Sequence, residues 1–301
     1  MNLNNTTATK PILEPIVKDN KDIVLVVWSS SSEIWKSIFN SLTDTFDVIW
    51  TTREKILNCI EEKQTEKNHR MYLDISKSEN VDQFIEDFLS QYWNKKIKTL
   101  FLNVWMTNAG DTIDRWNFFR RANNWDPTIT THINNLMLVE SLQRKKLINE
   151  NTKVIYNASI QVFLPKDGFN DYAFLKNMVS SLLLGDERLD CTILCCSLVK
   201  GTTGSDKFEK VLKEKGSSIE NYVKNNMPNW QPSLEDVNIV TKLITSHKEQ
   251  TKNKYVLIDG WAFKQNYANN PKVFDEDILY NLLFFNQKTR EIEDFFGNLV
   301  F

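Results

Sequence analysis

Residues 152–176 read TKVIYNASIQVFLPKDGFNDYAFLK. The opening run, Thr152–Asn157, is short, apolar and rich in β-branched and aromatic residues, which predicts a strand. Val154-Ile155-Tyr156-Asn157-Ala158 leads directly into Ser159. Tyr172 follows thirteen positions later and Lys176 four beyond it, opening a helical pattern over Tyr172–Leu184. The apolar run is continuous rather than alternating, as expected of a strand covered on both faces.

The same rhythm extends in both directions. Strands are predicted at Asp22–Trp28, Phe46–Thr51, His69–Leu73, Lys98–Trp105, Thr152–Asn157, Cys191–Ser197 and Lys254–Ile258. Between them, Glu33–Leu42, Glu79–Trp93, Ile129–Leu147, Tyr172–Leu184 and Leu234–Ser246 carry apolar residues at helical spacing. Strands alternating with helices imply a doubly wound parallel sheet of about seven strands in a single α/β domain. Residues 1–20 read as a flexible segment, 21–261 as the α/β domain, and 262–301 as an aromatic-rich extension. The apolar stretch from Asp275 to Phe301 is expected to form a C-terminal helical extension packing on the core or on a second copy. Gly201–Gln231 is polar and Lys-rich and is expected to be a mobile segment over a site. The Trp-rich insert Asp114–Arg121 reads as local packing.

Composition excludes several functions. Net charge is −2, and Lys and Arg are scattered, so no basic stripe marks a nucleic-acid partner. The longest apolar runs, such as Ile23–Trp28, are too short for a membrane span. Met1–Asn20 is polar, with no Arg and no apolar core, so no secretory signal is expected. Cys59, Cys191, Cys195 and Cys196 lack metal-site spacing and read as buried reduced thiols. The expectation is a soluble cytoplasmic protein in a reducing intracellular compartment, without a bound metal.

Tyr172 and Lys176, spaced i and i+4, share a helix face. An ammonium beside a phenol favours the phenolate, making Tyr usable as an acid/base near neutrality. Ser159, at the strand end, would hydrogen-bond a substrate oxygen. In Ile133-Asn134-Asn135-Leu136, one Asn would hold Lys176 through a water, and either Asn134 or Asn135 fits.

This order of Ser, Tyr, Lys and a helical Asn resembles the short-chain dehydrogenase/reductase family over about residues 22–261. The resemblance implies a Rossmann-type fold, with Ser159, Tyr172, Lys176 and Asn134 or Asn135 as the catalytic group. Asp74 in Leu73-Asp74-Ile75 is similar to the adenine-contacting Asp. Arg53 occupies a position where a basic residue meets a 2′-phosphate, which favours NADP(H). Asn103 resembles the start of Asn-Asn-Ala-Gly, and a literal Thr107-Asn108-Ala109-Gly110 follows it. Leu257-Ile258-Asp259-Gly260-Trp261 resembles the closing strand.

The chain departs from the family at the first turn. The glycine motif falls on Trp28-Ser29-Ser30-Ser31-Ser32-Glu33-Ile34-Trp35, with Ser29, Glu33 and Trp35 where the glycines stand. Those glycines allow a tight turn, backbone approach to the pyrophosphate, and helix-to-strand packing. Ser29, Ser30 and Ser32 still offer hydroxyls beside helix amides, whereas Glu33 would repel phosphate. After the sixth strand the family's Pro-Gly falls on Leu198-Val199, with Gly201 and Thr203 as stand-ins under the nicotinamide. Two readings follow. One is an oxidoreductase that reduces carbonyls or oxidises alcohols with NADP(H) on a small organic substrate, under a lid over Thr202–Gln231. The other is an inactive module of the same fold, with no cofactor, serving binding or assembly. In either, a homo-oligomer or protein partner would use the C-terminal extension.

Overall fold

The computed structural model describes residues 23–28, 33–43, 46–53, 68–93, 95–103, 127–163, 170–214, 216–226, 231–258, 261–269, 271 and 276–301. The first half runs β1 (Ile23–Trp28), α1 (Glu33–Leu42), β2 (Asp47–Thr52), β3 (Asn68–Tyr72), α2 (Ser78–Tyr92), β4 (Ile97–Asn103) and α3 (Pro127–Arg144). Then come β5 (Lys153–Asn157), a 3-10 turn at Ile160–Val162, α4 (Asn170–Leu184), β6 (Asp190–Cys195), α5 (Thr203–Glu214), α6 (Ile219–Asn226) and α7 (Leu234–Ser246). The chain closes with a 3-10 turn at Glu249–Thr251, β7 (Lys254–Leu257), α8 (Trp261–Asn269), α9 (Glu276–Leu279), β8 (Leu282–Asn286) and β9 (Glu291–Asp294).

The strands form one sheet in the order β3-β2-β1-β4-β5-β6-β7-β8-β9. All pairings are parallel except β8 with β9. Side chains alternate across the sheet, so each strand feeds two apolar layers. Leu25, Leu100, Tyr156 and Ile193 face one way, against α2, α3 and α4. Val24, Val26, Phe101, Ile155 and Leu194 face the other, against α1 and α7. This double coverage is why the central strands β1 and β4 are largely apolar on both faces. It confirms the doubly wound α/β fold expected from the sequence.

The expectation for the tail is corrected. The sheet has nine strands rather than about seven, because the tail, after the helices α8 and α9, adds two strands to its edge. In β8, Leu282 and Phe284 enter one apolar layer while Leu283 and Phe285 enter the other. The tail thus buries most of its large apolar side chains, although Phe296 and Leu299 stay exposed. The polar stretch after Gly201 is built as α5 and α6. Their faces meet through Phe208 and Tyr222, whose rings are 4.8 Å apart in an edge-on arrangement.

Cys191, Cys195 and Cys196 are buried free thiols, as expected; Cys59 lies outside the described residues. Among the described residues no helix is long and apolar enough to cross a membrane.

Candidate active site

The strand order reverses between β1 and β4, on either side of which the chain winds in opposite directions. In open parallel sheets the crevice at the carboxyl ends of such strands is where ligands bind. Asn103, Asn157 and Cys195 end β4, β5 and β6 on this edge.

Ser159 lies just beyond β5, with extended backbone, and caps the 3-10 turn by accepting a hydrogen bond at Oγ from Gln161 N at 3.3 Å. The segment stays fixed to the sheet because Ala158 N donates to Leu194 O at 2.8 Å and Ile160 N to Cys196 O at 3.0 Å. Asn177 of α4 ties the turn to its helix by donating to Val162 O at 3.4 Å. Ser159 is therefore held against the helix that carries Tyr172 and Lys176.

Tyr172 and Lys176 are one turn apart on α4, with Lys176 Nζ 5.8 Å from the Tyr172 ring centre. The ammonium is buried and donates to the Asn157 carbonyl at 2.6 Å. It also lies 4.6 Å from the centre of the Tyr156 ring. Burial penalises the charged form and lowers the Lys176 pKa to about 7, against the opposing influence of the Cys196 and Cys195 thiols.

That shift has a consequence for stability. The folded value lies below the ordinary 10.5, so between about 7 and 10.5 the unfolded chain binds more protons than the folded one. Stability contributed at this position is therefore lowest at and below pH about 7 and rises towards 10.5. Lys176→Met is expected to stabilise the fold by about 1–4 kcal/mol at neutral or lower pH, the scale seen when buried charge gives way to apolar packing. The gain shrinks as pH rises. Denaturant unfolding of both chains across pH checks it.

The helical asparagines are both fully buried on α3, and Asn135 Oδ1 has no hydrogen-bond partner among the described residues. Asn134 Nδ2 donates to Ile75 O at 2.7 Å, and its Oδ1 accepts from Ser78 Oγ at 3.0 Å. Asn135 Nδ2 donates to Thr131 O at 2.9 Å. Asn134 thus docks α3 onto the segment after β3, while Asn135 bonds within its own helix.

The residue that sequence reasoning missed is Asn157. Its carbonyl takes the Lys176 ammonium, and its side chain bridges three strand ends. Nδ2 donates to Asn103 Oδ1, and Oδ1 accepts from Cys196 Sγ at 3.5 Å. Burial pushes the Cys196 thiol up to about 12, so it stays protonated and donates. Asn103 Nδ2 is buried and has no acceptor among the described residues. A buried donor left unmade costs free energy, so Asn103 Nδ2 is a group that a ligand in the crevice would satisfy.

At the other flank of the crevice, Arg53 follows β2 and Asp74 follows β3. Their side chains are 3.4 Å apart, Arg53 being partly exposed and Asp74 largely buried. Asp74 Oδ1 also accepts from Ser76 N at 3.2 Å and Ser76 Oγ at 2.7 Å. The structure thus brings together the two residues expected to meet the adenosine end of a dinucleotide. Glu33 is the first residue of α1, where a carboxylate sits at the positive end of the helix dipole. Ser29, Ser30, Ser32, Thr107–Gly110, the insert at 114–121, Asp259, Gly260 and the side chains of Trp35 and Thr203 lie outside the described residues.

Comparison of the fold with solved structures gives one class. A short-chain dehydrogenase family protein from Francisella tularensis subsp. tularensis SCHU S4 superposes with a TM-score of 0.63 at 15% identity, covering 81% of this chain and 99% of that one. YwfH, an NADPH-dependent reductase involved in bacilysin biosynthesis, gives 0.64 at 15% identity over 81% and 98%. A 3-ketoacyl-(acyl-carrier-protein) reductase from Brucella melitensis, complexed with NADH, gives 0.57 at 14% identity over 80% and 98%. No family model and no curated protein matches the sequence. The chain has the short-chain dehydrogenase fold.

Proposed function

We propose that the protein is an oxidoreductase of the short-chain dehydrogenase type, reducing a carbonyl or oxidising an alcohol of a small organic substrate with NADP(H). The observation that carries this reading is Tyr172 and Lys176 on one face of α4, beside the Ser159 turn, at the carboxyl edge of the sheet.

The residues fit a dinucleotide at three points. Arg53 and Asp74 would hold the adenosine end, Arg53 pairing with a 2′-phosphate and so favouring NADP(H). Asn103 Nδ2 offers a buried donor to a ligand in the crevice. Lys176 would hold the nicotinamide ribose. The cofactor, when bound, supplies hydride exchange with the substrate carbon.

This chain's own part is proton handling and orientation. Ser159 Oγ donates a hydrogen bond to the substrate oxygen and fixes its position. Tyr172 gives its phenolic proton to that oxygen during reduction and recovers it during oxidation. Lys176 stabilises the phenolate left behind. A neutral Lys176 would not, so reduction is expected to weaken as pH rises past the titration of Lys176 at about 7.

Glu33 works against the pyrophosphate. Unit charges a few ångströms apart repel by roughly 1 to 4 kcal/mol depending on hydration. Each 1.4 kcal/mol is tenfold in affinity, so Glu33→Gln is expected to tighten NADPH binding about tenfold or more. Calorimetric titration of the two chains checks this. The same carboxylate favours the second reading, a binding or assembly module of this fold without a cofactor. NADPH-dependent turnover over a panel of ketones and aldehydes tests between them.

A further inference from the structure

Lys176 is held from below as well as from its own helix. The Tyr156 side chain is fully buried under α4, and its ring centre lies 4.6 Å from Lys176 Nζ. A cation over an aromatic face within about 6 Å is attracted by the ring quadrupole, most strongly where water is excluded. The Tyr156 hydroxyl is 3.4 Å from His132 Nδ1 on α3, so the ring is also fixed at its far end. Burial raises the Tyr156 pKa, keeping the phenol neutral and the ring an uncharged seat. The groups facing Lys176 are then Tyr172 from its own helix, Tyr156 and the Asn157 carbonyl from β5, and the Cys195 and Cys196 thiols from β6. The Asn157 carbonyl and the Tyr156 ring both draw the ammonium toward β5.

We propose that Tyr156 is a positioning residue of the active site: its ring holds the Lys176 ammonium at Tyr172 together with the Asn157 carbonyl. The inference rests on the oxidoreductase reading for its functional meaning, but not for its test. Tyr156 itself touches neither substrate nor reacting atom in that reading. Its effect passes through the charge state and placement of Lys176. The ring attracts the cation while adding no charge of its own.

The test separates ring electronics from packing. The full chain is prepared with carbon-13 at lysine Cε, and the Lys176 resonance is assigned by its loss in Lys176→Met. Tyr156→Phe keeps the ring and is expected to leave the Lys176 titration nearly where it was. A trifluorinated phenylalanine at position 156 has almost the same shape as Phe but little negative charge on the ring face. It is expected to lower the Lys176 pKa relative to Tyr156→Phe by at least about half a unit, a threefold change in the dissociation constant. Identical titration curves for the two chains would overturn the proposal, and because both are near-isosteric with the parent, loss of folding does not obscure the result. Where turnover is measurable, the alkaline limb of kcat is expected to move by the same amount. A shifted titration in a chain without turnover keeps the seat and removes the reaction; turnover with an unshifted titration does the reverse.

Discussion

Tyr172→Phe is expected to lower kcat for carbonyl reduction by about 10²- to 10⁴-fold, the range of a positioned general acid, while NADPH affinity stays within about twofold. Phe keeps the ring that Lys176 Nζ approaches at 5.8 Å and the helix that carries it. Only the hydroxyl proposed to move the proton is lost. Steady-state kinetics with a calorimetric titration of both chains reads the two effects separately. A loss confined to KM would mean that Tyr172 binds substrate without transferring a proton.

The second large effect lies at the opposite edge of the sheet. Lys153 and Asp190 begin β5 and β6 and form a buried ion pair at 2.7 Å, with Lys153 Nζ also donating to Lys248 O at 2.9 Å. Burial lowers the Lys153 pKa and the bond to Asp190 opposes that shift. Asp190→Asn leaves the buried ammonium without its counter-charge, which is expected to cost about 3–5 kcal/mol. The folded-state pKa of Lys153 then falls further below its unfolded value. The variant is therefore least stable below that lowered value and recovers as pH rises, because the folded chain carries fewer bound protons than the unfolded one. Urea unfolding across pH checks both magnitude and sign. A deficit independent of pH would assign the loss to packing instead.

Most of the fold was legible because the sheet is covered on both faces. A run such as Ile23–Trp28 feeds two apolar layers, so it shows as an unbroken apolar stretch ahead of an amphipathic helix. The predictions for α1 and α7 agree with the structure at both ends, Glu33–Leu42 and Leu234–Ser246. The tail misled for a related reason. Leu282-Leu283-Phe284-Phe285 is apolar at every position, and periodicity alone does not separate a doubly buried strand from a buried helix. The turn between β8 and β9 carries no Gly or Pro. Asn286 Oδ1 accepts from Lys288 N at 3.0 Å, and Arg290 adopts φ of 61° to close it. The spacing of Ser159, Tyr172 and Lys176 was visible because strand end and helix adjoin in sequence. Asn157 was not, since its bond to Lys176 spans 19 positions and uses a backbone carbonyl, which no side-chain pattern reports.

Arg53, Asp74, Asn103 and Lys176 are proposed to hold a nicotinamide dinucleotide in spite of Glu33 and the missing glycines. The direct measurement is calorimetric titration of NADPH and NADH into the parent chain and Glu33→Gln. The account predicts weak, saturable NADPH binding to the parent, with a Kd between about 10 μM and 1 mM, tightening in Glu33→Gln. No heat of binding from either chain with either dinucleotide at millimolar concentration would contradict it and leave a non-catalytic module of the same fold.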